Sequence, residues 1–209
     1  MYTKEQAIRI VTQAAASYKS NLSGNNLLFV CINKARDISY IETVFTESRF
    51  LHLTGLKVNK EKIGAVDFYK KCTDNKLSPD DFELSDDGTT ELKLDVLPFV
   101  MTQSLGKANM IGEYNNRNVQ LFTEKIVGTV KAGIGFVKQG NSEILVPNTM
   151  IKADIREYIK DPHRIIATYS KKINDTKYSK QVYSAKGIDL ASYVFPKSLS
   201  DKMCLEQQK

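Results

Sequence analysis

The pattern of this chain changes once, at Gly106, and that change limits the fold it can adopt. After Gly106 come M-I-G-E-Y, N-V-Q-L-F-T, K-I-V-G-T-V, G-I-G-F-V-K-Q and S-E-I-L-V-P, separated by Asn, Gly or charged residues. Short alternating runs with such punctuation read as antiparallel strands in a meander, with Gln139–Ser142 as a hairpin loop. Before Gly106, helical spacing dominates. Thr3 to Ser20 reads as a helix, opened by Thr3 and Gln6 at capping-box spacing and striped by Ala7, Ile10, Val11, Ala14 and Tyr18. Asn26–Asn33 is a continuous apolar run and Ser39–Thr46 a β-branched one, so both read as strands. Further helices are expected from Asn59 to Cys72, briefly at Ser78–Phe82, and from Thr89 to Gln103. In the last of these Leu92, Val96, Phe99 and Val100 share a side and Pro98 marks a kink or break. Later, Asn148–Ile159 reads as a helix, Asp161–Arg164 as a turn, and the stretch from Arg164 as a strand with a cationic end. Gly128–Phe136 is glycine-rich without dinucleotide-fingerprint spacing, which points to tight β-packing. The expected class is α+β: N-terminal helices packed on a mostly antiparallel, twisted β-sheet. One domain would span 1–196 and a loose tail 197–209.

Composition excludes several classes. No run of 18 apolar residues is present and the N-terminus lacks an apolar segment, so neither a membrane span nor a secretory signal is expected. Three widely spaced cysteines and two histidines argue for reduced thiols in a cytoplasmic protein without a zinc site. The charge is uneven. Residues 1–103 hold 13 Lys/Arg against 14 Asp/Glu, and residues 104–209 hold 17 against 10. The second half is the better surface for a polyanion, although lysines that merely solubilise give the same count.

The stretch with the most chemistry is R-F-L-H-L-T-G-L-K, Arg49–Lys57. Read as extended chain, it puts His52 and Thr54 on one face, lets Gly55 bend the backbone, and adds the Lys57 cation. The plain alternative is a satisfied core histidine. No P-loop, H-E-x-x-H or D-x-D is present, so phosphodiester chemistry here would proceed without metal, and no cofactor is expected. Metal-free RNA cleavage needs a base, an acid, and donors or cations at the phosphate. The candidate catalytic set is His52, Thr54, Tyr169 and Lys171, the last two in phase on one strand. Lys57, Lys152, Arg164 and Lys172 are the candidate substrate-binding cations. Each has a bland reading: Tyr169 as a core aromatic, Lys171 and Lys172 as a solvated strand end, Lys152 as part of a helix start. His163 falls in the expected exposed turn.

F-L-H-L-T-G-L-K at Phe50–Lys57, the following F-Y-K-K-C, then I-G-E-Y, G-I-G-F and V-P-N-T-M-I-K-A-D-I together resemble the phage-associated branch of the Barnase–EndoU–Colicin–RelE-like (BECR) nucleases, over Phe50 to Lys172. The resemblance implies a helix-plus-antiparallel-sheet fold and metal-independent endoribonuclease activity, the 2′-hydroxyl attacking the adjacent phosphate to leave a 2′,3′-cyclic end. It implies a phage or mobile-element origin, in a group that includes toxins. RNA would be the partner, tRNA among the candidates, with an inhibitor or host protein as a second partner. His52, Thr54 and Gly55 match the motif. Two further classes stay open: an ADP-ribosyltransferase, for which Glu143 is the late glutamate, and a non-catalytic module that binds nucleic acid or a protein.

Overall fold

The computed structural model describes residues 2–116 and 121–204. Its first element, α1 (Lys4–Asn21), has the expected capping box at Thr3 and Gln6, and buries Ala7, Val11, Ala14, Ala15 and Tyr18. Two strands follow, β1 (Asn25–Ile32) and β2 (Ile38–Phe45). A helical layer comes next: α2 (Phe50–Thr54), the short β3 (Lys57–Val58), α3 (Ala65–Thr73), β4 (Phe82–Glu83) and α4 (Thr89–Val100). The rest is mainly sheet: β5 (Met110–Tyr114), β6 (Lys125–Gly128), β7 (Gly133–Lys138), β8 (Leu145–Ile151), β9 (Ile159–Lys172) and β10 (Lys180–Ser184), closed by α5 (Lys197–Ser200). The class is α+β, as expected.

The sheet is not an open twisted layer. Seven strands close on themselves in the order β1-β2-β8-β7-β6-β5-β9, and β9 returns to β1. Two sequence features cause the closure. β1 is apolar from Leu27 onward and buried along nearly its whole length, so it needs partners on both edges. β9 has 14 residues, enough to pair β5 with its first half and β10 with its second along one edge, while β1 occupies the other. The pairings are antiparallel except at β2–β8, a parallel seam with one residue pair, Thr43↔Leu145.

Alternation along the strands divides the apolar residues into an inner and an outer set. Leu27, Phe29, Phe45, Val127, Ile134, Phe136 and Ile165 join the buried faces of α1–α4 in the main core. Leu28, Val30, Ile166 and Ala167 point the other way, beneath Tyr178, Leu199 and Met203. The stretch from Lys197 is therefore no loose tail as far as the described residues run. Leu199 and Met203 are buried, and Met203 bridges Tyr178.

Four local expectations change. Asn148–Ile159 is not a helix: Thr149, Met150 and Ile151 pair with Gly135, Ile134 and Gly133 as β8, and one short 3-10 turn at Ile155–Glu157 precedes β9. Asp161–Arg164 is not a turn but the first half of β9. The ladder shifts there, since Ile111 faces His163 while Glu113 faces Lys160, and Asp161 takes φ 47°. Pro162 has no N–H for a ladder, and a bulge accommodates such a residue without ending the strand. On α4 the buried face is Leu94, Val96, Leu97 and Val100, leaving Leu92 and Phe99 exposed. The segment N-V-Q-L-F-T begins outside the described residues, and Leu121–Thr123 form no strand.

Candidate active site

Arg49–Lys57 is not a strand. Phe50–Thr54 form the five-residue helix α2, and Gly55 ends it in the left-handed region at φ 73°. The reason lies in neighbouring layers. Phe50 packs its ring against Tyr18 at 5.2 Å and Tyr69 at 5.5 Å, and Leu53 is fully buried beside it. Positions i and i+2 of a helix diverge, so His52 is exposed whereas Thr54 is buried. The Thr54 hydroxyl donates to Leu51 O at 2.8 Å and accepts from Leu56 N at 3.1 Å. It is consumed by the turn. The helix end is then fastened to α4: Lys93 Nζ donates to His52 O at 3.0 Å and Thr90 Oγ1 to Gly55 O at 2.7 Å. Partial desolvation, then Arg49, Lys93 and Lys60, push the His52 imidazole below its ordinary range.

The other expected site residues are dispersed. Lys171 Nζ donates to Asp175 O at 2.9 Å and lies over the Tyr178 ring, on the outer face. Tyr169 packs into the same outer cluster, and burial pushes its phenol up. Arg164 donates to Lys186 O, and the backbone N–H of Lys172 donates to Asp175. Lys152 pairs with Asp95 on α4, and Lys57 is exposed on β3. Among the described residues, no hydrogen bond or ion pair joins His52 to Tyr169, Arg164, Lys171 or Lys172, while α2 packs on β8, α3 and α4.

What the fold does bring together lies at the open end of the barrel. A cavity of about 780 Å³ is lined by residues of all seven strands. Its floor is apolar, with Ile41, Ile111 and Leu145, and includes Cys31, whose thiol burial pushes up to about 12 against the pull of Lys125. Its walls are polar because each strand carries one more inward position beyond the packed core. Ile165 is inward and so is His163; Ile111 is inward and so is Glu113; Val127 is inward and so is Lys125; Phe136 is inward and so is Lys138. Ser39 joins them from β2.

The geometry is that of an acid–base cluster. Ser39 Oγ lies 3.2 Å from His163 Nδ1. The Glu113 carboxylate accepts from Lys160 at 3.2 Å and stands 3.8 Å from Lys125 Nζ. Lys160, then Lys125, with a smaller contribution from His163, hold the Glu113 carboxyl below the usual carboxylate range. Lys138 pairs with Glu143 at 3.0 Å on the rim. Glu42 and Lys202 also line the cavity, and Glu42 is clamped by Lys202 at 2.7 Å and by the Tyr178 hydroxyl at 3.0 Å, so the C-terminal segment braces this side. Among the described residues, no group of three or more His, Cys, Asp or Glu is placed to hold a metal ion, and no helix is long and apolar enough to cross a membrane.

His163, Glu113, Lys125 and Ser39 were not singled out by spacing. The signal that carries them is the period-2 phase read back from the apolar positions Ile165, Ile111 and Val127. The D-P dipeptide hid that phase for His163.

No curated protein and no solved structure matches the chain. One family does, described as phage-Barnase-EndoU-ColicinE5/D-RelE like nuclease4, and its match spans residues 10–187, from within α1 to beyond β10. That span covers the early strands, the helical layer and the whole barrel, and the chain belongs to this nuclease family, PBECR4.

Proposed function

We propose that the barrel mouth is the active site of an endoribonuclease that works through its own side chains, with His163 and Glu113 as the acid–base pair. The observation that carries this reading is the convergence of seven strands on one cavity. It places an imidazole, a carboxylate held ionised and an ammonium within one substrate's reach. Glu113 stays a carboxylate at neutral pH and accepts the proton of the RNA 2′-hydroxyl. The freed oxygen attacks the adjacent phosphorus, and the bond to the 5′-oxygen breaks. His163 as imidazolium donates Nδ1–H to Ser39 Oγ, which leaves Nε2–H for the departing oxygen. Lys125 faces the charge that builds on the phosphoryl oxygens. The products are a 2′,3′-cyclic phosphate and a 5′-hydroxyl. A DNA strand has no 2′-hydroxyl and would not enter this reaction.

The test is incubation of the purified protein with end-labelled RNA in EDTA. Cleavage with cyclic phosphate ends is expected, together with a loss of roughly 10²–10⁴-fold in His163→Ala, the range for a general acid or base. Intact RNA with the wild-type protein, or equal cleavage by His163→Ala, overturns the proposal. His163 is only partly buried, so the variant should keep its thermal transition and remain interpretable.

A further inference from the structure

A second groove, about 580 Å³, opens beside the mouth and shares Glu113, Lys125 and Lys138 with it. Leu121, Val137 and Tyr114 give it apolar surface, and Phe122 stands at its side with 82% of the residue exposed. An exposed phenylalanine is costly to leave in water, yet its backbone is not loose. Asn148 Nδ2 donates to Phe122 O at 2.7 Å, Leu121 N donates to the Tyr114 hydroxyl at 3.3 Å, and Glu124 N donates to Phe136 O at 2.8 Å. The chain on both sides of Phe122 is thus pinned to β5, β7 and β8, and the ring is held out over the groove.

We infer that this groove is a subsite for an unpaired nucleobase next to the scissile phosphate, with Phe122 stacking on its face. The inference rests on the reading of the mouth as a phosphodiester site and adds the class of RNA it accepts. Charge decides which part of a nucleotide goes where. Lys125 and Lys138 sit on the boundary between the two cavities and suit the phosphate, whereas Glu124, which lines the groove alone, repels one. The groove therefore suits the uncharged, flat part of a nucleotide. A base reaches such a ring only outside a helical stack, so the substrate is single-stranded or looped RNA rather than duplex.

The experiment uses a non-cleavable 2′-O-methyl oligonucleotide of mixed sequence, single-stranded or annealed to its complement, with binding followed by fluorescence anisotropy. Wild type should prefer the single strand. Phe122→Ala should weaken single-strand binding roughly tenfold or more, and Phe122→Tyr should stay within about threefold of wild type, because stacking needs only the ring face. Duplex binding should be the same in all three. Unchanged single-strand binding in Phe122→Ala, an equal loss on duplex, or no single-strand binding by the wild type overturns the subsite. The two proposals fail separately. If His163-dependent cleavage is found but Phe122→Ala binds normally, only the subsite falls. If the binding pattern holds but RNA stays intact, only the chemistry falls.

Discussion

The two histidines of this chain sit in opposite kinds of setting. His52 lies in an apolar, motif-like stretch, followed by a hydroxyl, a glycine and a lysine. Its main-chain carbonyl is clamped by Lys93, its neighbour Thr54 is spent on the turn, and its ring faces outward near three cations. His163 lies after D-P, in a stretch that reads locally as a turn. Its ring faces a cavity shared with Glu113, Lys125 and Ser39. The residue with rich local context sits on a fastened helix end, while the one with sparse local context faces the barrel cavity. The difference arises because a helix end is built by residues next to one another, whereas a barrel mouth is built by one residue from each of several distant strands.

The comparison breaks most directly through paired substitution. His163→Ala should lose roughly 10²–10⁴-fold in RNA cleavage with little change in stability. If it is His52→Ala that carries the loss, the assignment is reversed. The next largest effect is expected on stability, at the turn after α2. An Ala at Gly55 would hold a non-glycine residue at φ 73° and place its Cβ 3.0 Å from Thr90 Cα and from Lys93 Cδ. A left-handed residue with a Cβ costs roughly 1–2 kcal/mol before any crowding. Gly55→Ala should lower the thermal midpoint by several degrees, about 2–4 °C per kcal/mol at this size. Cleavage per folded molecule should be unchanged. A loss of turnover at intact stability would return the L-T-G turn to the active site.

Much of the fold could be read from the amino acids because it is local. The Thr3 capping box, the stripe on α1, the apolar β1 run and four of the five alternating runs after Gly106 appear within a few residues of where they were expected. What could not be read is long-range. Closure of the sheet depends on β9 pairing β1 across more than a hundred residues, and no local pattern states it. Pro162 and Asp161 carry a genuine turn signal that tertiary pairing overrides through a bulge. Thr149–Ile151 lie at the start of a helix-like run, yet they pair as a strand, and Thr149 faces Gly135, where a Cβ would stand 2.8 Å from Thr149 Cγ2. The proposed site suffers most, since its members come from five strands and mean nothing until those strands are in register. The family resemblance was legible from short motifs, and its F-L-H-L-T-G element forms a helix end that Lys93 and Thr90 of α4 fasten through the backbone.

A finer effect sharpens the mouth side. The acid limb of the rate profile should follow Glu113, which must be ionised to accept a proton. Lys160 and Lys125 hold its carboxyl below the usual range, so activity should persist to a lower pH than an unassisted glutamate allows. Lys160→Ala removes the hydrogen bond that is the larger cause. The Glu113 carboxyl then rises toward its ordinary value, and the acid limb of kcat/KM moves up in pH. A profile that does not move, or moves down, argues that Glu113 is not the base. Lys160 is itself outside the cavity lining, so a simple loss of phosphate binding would scale the whole profile without shifting its limb.

The smallest effect belongs to His52. Its imidazole is held below the ordinary value, so the unfolded chain binds the proton more readily than the folded one. The sign follows from linkage: stability falls as pH drops through the unfolded value, near 6.5, toward the folded one, because protonation then favours unfolding. His52→Gln removes the titrating ring. The variant should match wild type at pH 8, gain slightly on it near pH 5 in urea or thermal unfolding, and cleave RNA within about threefold of wild type, as expected of an exposed side chain outside the reacting cluster. A variant less stable at low than at high pH relative to wild type would mean that His52 is held by an acidic partner rather than crowded by Arg49, Lys93 and Lys60. With matching stability curves and retained cleavage, the helix carrying His52 supports the barrel that carries His163, and the two histidines divide structure from chemistry.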